Sequence, residues 1–178
     1  MILPSVTQLL KPLSSQIYKD IDKETLKTAA TKGTAVHFAI ELYSDTGLIQ
    51  IESQYLGYFR AYQNWLDKYP HELLASEYKA FHKGLWYAGT ADKIVNIKDE
   101  NILIDVKTTA SLNIPLVSVQ LEAYKRALES QGMHIDKANI LSLHEDETYD
   151  YIELKGNFDV FLACIKINNY LIKEGLKK

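Results

Sequence analysis

Asp105 and Lys107 stand two residues apart in Ile102–Thr109 (I-L-I-D-V-K-T-T), a run that is otherwise apolar or β-branched. A strand alternates its faces with a period of two, so the acid and the base point the same way while Ile104 and Val106 point into a core. Desolvating both charges on one face is costly. A metal site accounts for that cost, with Asp105 ligating a hard cation and Lys107 beside the water it activates. Taken alone, D-x-K is more simply a solvated ion pair on an edge strand. Its neighbours shift the balance. Asp92 falls on the preceding predicted strand, joined through the polar turn Asn96–Asn101, so a hairpin brings the two carboxylates together. Gly89, three residues earlier, permits close backbone approach. Converging carboxylates repel each other unless a cation lies between them. Gln120 and Tyr124, four apart on the next predicted helix, share a face.

The elements that must position these residues follow from periodicity and punctuation. Ser5 or Thr7 caps a short helix over Val6–Lys11, ended by Pro12. A helix from Asp22 to about Ser44 carries Gly33, His37 and Glu41 near one face. A lone histidine in such a stripe is ordinarily a hydrogen-bonded core residue, and Glu41 is either its partner or a surface acid. Gly33 costs about 1 kcal/mol relative to Ala inside a helix, so it is expected to permit a close approach. After a turn at Ser44–Gly47, Ile49–Tyr69 reads as a helix with the aromatics Tyr55, Tyr58, Phe59, Tyr62 and Trp65. That stripe either packs on the first helix or, with Arg60 and Lys68, stacks on bases of a single strand. Leu73–Phe81, Leu85–Asn96 and Ile102–Thr108 read as a meander of three strands. A helix from Pro115 to Ser130, strands Ala138–His144 and Tyr149–Leu154, and a helix over Asn157–Glu174 complete the chain. This order predicts an α/β fold, a central mixed β-sheet flanked by helices. It is read as one domain, 1–178, with an N-terminal helical part (1–70) and a catalytic sheet core with a C-terminal helix (71–178).

The 178 residues suffice for one domain with a sizeable core, and 47% hydrophobic and 24% charged residues are ordinary for a globular chain. Net charge is −3, and of twenty Lys and Arg residues only Arg60 and Arg126 are arginines. Few arginines argue against sequence-specific readout in a major groove, while local lysines and bound cations still serve a phosphate backbone. Cys164 is the only cysteine, which excludes an intramolecular disulfide and a Cys-ligated zinc or iron–sulfur site. Met1–Leu13 has too short an apolar run for a signal peptide, and no stretch reaches the length of a membrane span, so the expected location is cytoplasmic.

The segments G-T-A-D (Gly89–Asp92), D-V-K (Asp105–Lys107) and Q-L-E-A-Y (Gln120–Tyr124), with G-T-A-V-H (Gly33–His37) upstream, together resemble the PD-(D/E)XK nuclease superfamily. The G-x-x-x-H helix is similar to that of its RecB-type branch. The opening P-S-V-T (Pro4–Thr7) is similar to the mitochondrial genome maintenance exonuclease and its phage and bacterial relatives. The resemblance covers roughly Pro4 to Leu128, without the four-cysteine cluster some RecB-type members carry.

It implies a restriction-endonuclease-like αβββαβ core and Mg²⁺ or Mn²⁺ held by Asp92, Asp105 and the Val106 carbonyl. His37 would complete the shell or face the scissile phosphate. Glu77 would recruit a second ion, or simply contact Lys79 or Lys93. Lys107 would orient and help deprotonate the attacking water, and Gln120 and Tyr124 would position the strand, Tyr124 alternatively buttressing Lys107. The implied activity is a DNA exonuclease in recombination, repair or replication. An endonuclease or junction resolvase on the same core and a non-catalytic nucleic-acid-binding module remain open. So does assembly with copies of itself or with recombination or replication proteins.

Overall fold

The computed structural model describes residues 3–176, so the two residues at each end of the expected 1–178 domain lie outside the described set. Ser5 caps α1 (Val6–Leu9): its hydroxyl accepts from the Gln8 N–H, and the Gln8 side chain accepts from the Ser5 N–H. Pro12 does not end the helical segment as expected. It sits in the first turn of α2 (Lys11–Ile17), where the missing N–H has no intrahelical partner to lose. α3 (Lys23–Thr46) begins on the Asp22 carboxylate, which accepts from the Glu24 and Thr25 N–H groups. It runs through the turn expected at Ser44 and stops at Gly47, left-handed at φ 74°. Within this polar stretch the Ser44 and Thr46 hydroxyls donate back to the Ile40 and Leu42 carbonyls. The helix expected over Ile49–Tyr69 forms only as α4 (Leu56–Lys68), after a 3-10 turn at Ser53–Tyr55. β-Branched Ile49 and Ile51 lie in irregular chain before it.

The sheet follows as β1 (Glu72–His82), β2 (Tyr87–Ile97) and β3 (Glu100–Lys107). Lys98 and Asp99, at φ 51° and 66°, form a two-residue left-handed turn of the kind that matches strand twist. That turn sets Ile97 opposite Glu100 and Lys93 opposite Ile104. After α5 (Ile114–Ser130), β4 (Lys137–Leu143) returns parallel to β3, and β5 (Tyr149–Glu153) lies antiparallel at the far edge. The order β1-β2-β3-β4-β5 makes a five-stranded mixed sheet with β3 in the middle. α6 (Phe158–Lys173) ends the described fold. The α/β architecture expected from the element order is the one observed.

Two cores pack on the two faces. Val6, Leu9 and Leu10, with residues of α5 and α6 including Phe161 and Cys164, cover one face over Ile94, Leu103 and Ile140. Val36, Ala39, Ile40 and the α4 aromatics cover the other over Val95, Ile104 and Val106. Tyr62 stacks on Trp65, and Trp65 on Tyr69, so the α4 aromatic stripe is core. Burying a large apolar side chain contributes about 1.5–3 kcal/mol, and Trp65 and Phe59 are fully enclosed. Among the described residues no helix is long and apolar enough to cross a membrane.

Candidate functional site

The hairpin register, carried one rung beyond Lys93–Ile104, sets Asp92 across from Asp105, but the ladder stops before that rung. β2 and β3 fork there, and two backbone groups of Val106 need other partners. The Val106 N–H donates to Asp92 Oδ2 at 2.8 Å, and the Val106 carbonyl lies 3.0 Å from His37 Nε2. With Nε2 donating to that carbonyl, His37 presents Nδ1 to the carboxylates, 3.8 Å from Asp92 Oδ2 and 3.9 Å from Glu77 Oε1. One ligand atom from each of His37, Glu77 and Asp92 lies within 4.8 Å of the others.

Backbone irregularity aims this group. Glu77 has φ 47° inside β1, a left-handed conformation costing about 1–2 kcal/mol for a residue with a Cβ. Side-chain alternation slips at the same level of both strands. Ala75, Tyr78 and Ala80 belong to one core, so the slip in β1 falls at Glu77. In β2, Ala91 and Ile94 belong to that core, whereas Val95 belongs to the other and Lys93 lies over the Tyr62 ring. Asp92 and Glu77 thereby both reach His37 on the α3 side. Strict alternation could not show this.

The expected D-x-K arrangement is present on the opposite face. Asp105 is 3% exposed, and its Oδ2 lies 2.7 Å from Lys107 Nζ. Ile104 and Val106 point into the α3–α4 core. Burial works against the charge of Lys107, but the Asp105 and Asp92 carboxylates outweigh it and hold its pKa above the ordinary range. Lys107 is therefore an ammonium donor at neutral pH. The water-deprotonating role expected from the sequence would need the carboxylate charge beside it to be drawn elsewhere. Asp92 is pushed up to about 6, first by burial and then by the Asp105 charge. A cation would relieve that repulsion. For His37, burial lowers the pKa, yet Glu77 and then Asp92 bring the balance above its usual value. Glu77 is lowered, chiefly by His37.

Gln120 Nε2 donates to the Tyr124 hydroxyl at 3.3 Å, so the contact found for that hydroxyl is Gln120 and not Lys107. Burial first, opposed by the Gln120 hydrogen bond, pushes the Tyr124 phenol up to about 12. The close approach expected at Gly89 is real: a Cβ there would lie 2.3 Å from Tyr124 Cε1. The one expected at Gly33 is not, because a Cβ would meet only Thr108 Oγ1, at an ordinary 3.8 Å. Lys107 and Gln120 line a cleft of about 360 Å³ together with Thr7, Ser14, Tyr18 and Asn113. Glu41 acts on Lys93. Lys93 was read from the sequence only as a contact for Glu77. It is 1% exposed, and the signal available was its place in A-D-K-I-V, with apolar Ala91 and Val95 two residues to either side.

No family model matches the sequence, and no curated protein does. Among solved structures, the crystal structure of SSO0001 aligns at 18% identity and TM-score 0.48, over 95% of this chain and 74% of that one. The alkaline exonuclease LHK-Exo from Laribacter hongkongensis aligns at 11% identity and TM-score 0.46, covering 97% and 92% of the two chains. LHK-Exo in complex with dAMP aligns at 12% identity and TM-score 0.47, covering 93% and 83%.

Proposed function

We propose that this chain is a metal-dependent DNA exonuclease that hydrolyses phosphodiester bonds from DNA ends. One observation carries the reading: His37 Nδ1, a Glu77 oxygen and an Asp92 oxygen converge within 4.8 Å at a strand fork, with the buried Asp105–Lys107 pair on the adjoining strand. The donors are carboxylate oxygens and one imidazole nitrogen, which suit Mg²⁺ or Mn²⁺. The raised pKa of Asp92, set first by burial and then by the Asp105 charge, supports a carboxylate that would gain from a cation. Asp92, Glu77 and His37 would hold it, with Asp105 and the second lone pair of the Val106 carbonyl available to the same ion or another. When bound, such an ion supplies charge stabilisation at the phosphate and an acidified water.

The rest of the chemistry belongs to the chain. Lys107 donates hydrogen bonds from a fixed ammonium, and Asp105 sets its position. Gln120 faces the cleft, and Tyr124, locked against Gly89, fixes the Gln120 amide. The hydroxyls of Thr7, Ser14 and Tyr18 suit a sugar–phosphate strand passing Lys107. α3 extends ten residues N-terminal to Gly33, most of them exposed, a wall beside the site. Preference for an end rests on that wall and on the motif resemblance. The test is end-labelled linear DNA beside a closed circle of the same sequence, with Mg²⁺ and with EDTA. Loss of the linear form alone, only with metal, is the expected result. Rapid nicking of the circle makes the chain an endonuclease, and undiminished activity in EDTA removes the metal reading.

A further inference from the structure

The β1–β2 hairpin carries a strip of sheet that the chemistry above leaves unused. Tyr78 and Ala80 pack in the core on the α5 side, so Glu77, Lys79 and Phe81 face the other way. The register sets Lys79 opposite Thr90 and Phe81 opposite Ala88, and the Lys79 ammonium donates to the Thr90 hydroxyl at 2.9 Å. Lys79 and Thr90 are thus the next pair on the face that carries Glu77 and Asp92. No helix covers this end of the face, since Lys79 and Phe81 are both exposed. They line a groove of about 380 Å³ with Ala88 and Thr90, and Leu3 and Ser5 contribute to its lining. Ser5 Oγ lies 3.0 Å from Thr7 Oγ1, and Thr7 lines the Lys107 cleft, so groove and cleft meet at the start of α1. Past the groove the hairpin ends on Trp86, 64% exposed and left-handed at φ 56°. Such a backbone favours glycine or asparagine, and for a bulky residue it is an outlier. Among the described residues no side chain hydrogen-bonds to the indole or stacks on it. Lys83, in the same turn, is exposed as well.

We propose that this strip is the track of an unpaired DNA strand, with Phe81 and Trp86 as base-stacking platforms and Lys79 and Lys83 on its phosphates. The inference rests on the nuclease reading of the site and adds the state of the substrate there: the strand on the hairpin is single. An exposed ring stacks on the face of a base, and in a duplex that face is already taken by the neighbouring base pair. From Glu77 to Phe81 the strand runs about 13 Å, so the rings begin close to the candidate ligands and continue away from them to the hairpin tip. Lysines suit this place, because a compact ammonium neutralises a phosphate without reading sequence. Two lysines among the rings favour a polyanion over a protein partner or a second copy of this chain. Phe81 and Trp86 are not among the candidate ligands, so they are positioning residues whose signature is affinity for the strand.

The two tryptophans make the test direct, because Trp65 is fully buried and Trp86 is not. In EDTA, oligothymidylate titrated into the full chain should quench the Trp86 emission saturably. The same strand paired with oligoadenylate as a blunt duplex should quench it far less. Affinity is read separately, from the anisotropy of a labelled oligothymidylate. Trp86→Gly suits the left-handed backbone, so it should melt at or above the wild-type temperature while binding the single strand at least about fivefold more weakly. Trp86→Phe keeps a ring and should stay within about threefold of wild type. Lys79→Gln and Lys83→Gln should each lower the slope of log affinity against log salt by about 0.7. With Mg²⁺, Trp86→Gly should raise KM for a linear single strand and leave kcat within about twofold. A Trp86→Gly chain that binds as tightly as wild type overturns the track, and so does a duplex that quenches as well as the single strand. Emission that follows protein concentration rather than DNA makes the hairpin a contact between copies and also overturns it. Quenching by the single strand without any Mg²⁺-dependent cleavage is a different failure: it removes the nuclease reading and supports the strand track alone.

Discussion

Gly89→Ala adds one methyl group and places it against a ring that cannot give way. The new Cβ would stand 2.3 Å from Tyr124 Cε1, 3.1 Å from Cδ1 and 3.4 Å from Cζ, where ordinary contact begins at about 3.4 Å. Tyr124 is 6% exposed on α5, and its hydroxyl is tied to Gln120. Relief therefore requires β2 or α5 to move by more than an ångström. Gly89 is not among the glycines with positive φ, so alanine meets no backbone penalty, and strand propensity favours it. Any loss of stability reports the contact alone. Overpacking of this kind costs about 1–3 kcal/mol, and a rigid aromatic partner puts the expectation at about 2 or more. The assay is urea denaturation of Gly89→Ala, Tyr124→Leu and the double variant, with turnover on linear DNA per folded molecule. Leucine lacks the ring atoms that clash, so the double variant should be at least about 1 kcal/mol more stable than the sum of the single losses predicts. Turnover of Gly89→Ala should fall at least about tenfold, because a displaced Tyr124 carries Gln120 away from Lys107. A Gly89→Ala chain within about 0.5 kcal/mol of wild type, or two strictly additive single effects, refutes the close-packed Gly89–Tyr124 wall.

Three further outcomes are expected. Without metal, Lys107→Met should be destabilised by about 2–3 kcal/mol, a figure reduced because Lys107 is 24% exposed, since the buried Asp105 carboxylate then loses its ion-pair partner. Asp105→Asn should lose about 1 kcal/mol less, and saturating Mn²⁺ should narrow the gap; denaturation with and without Mn²⁺ reads both, and the reverse order counts against an unpaired buried carboxylate. His37→Ala should lose about tenfold in turnover and also about 1 kcal/mol of stability, because the Val106 carbonyl loses its partner. His37→Gln should recover the stability without the turnover, and a fully active Gln variant would dismiss the imidazole as ligand. Lys93, lowered to about 8 by burial from an ordinary 10.5, is fully charged in both states below pH 8. Between about pH 8 and 10.5 only the unfolded chain holds that proton, so stability should rise with pH through this window by up to about 3 kcal/mol, and Lys93→Gln should flatten the rise in pH-dependent denaturation.

The face carrying Asp105 and Lys107 was legible because β3 alternates without interruption, and period two then fixes every side chain. The pairing of the strands that carry Asp92 and Asp105 was legible for a related reason: a largely polar stretch, Asn96–Asn101, between two apolar runs implies a hairpin, and the Lys98-Asp99 turn fixes its register. Gly89 was legible as a missing Cβ, though not the partner that needs it missing. The same logic misled at Gly33 and Pro12, where a glycine tolerated in a helix and a proline starting one look like a close contact and a stop. What stayed hidden is the rung at Glu77. A left-handed glutamate in mid-strand is unfavourable locally, so no propensity argument selects it. It is held by the packing on either side, with Ala75, Tyr78 and Ala80 set in one core while Val36 and Ile40 press α3 against the other. The slip turns Glu77 and Asp92 toward His37, and it leaves Lys93 beneath them on the α4 side. One irregular rung therefore accounts for both the convergence of the ligand atoms and the buried cation behind them. An unbroken strand would have sent Asp92 and Lys93 to opposite faces, and the carboxylate away from the His37 imidazole.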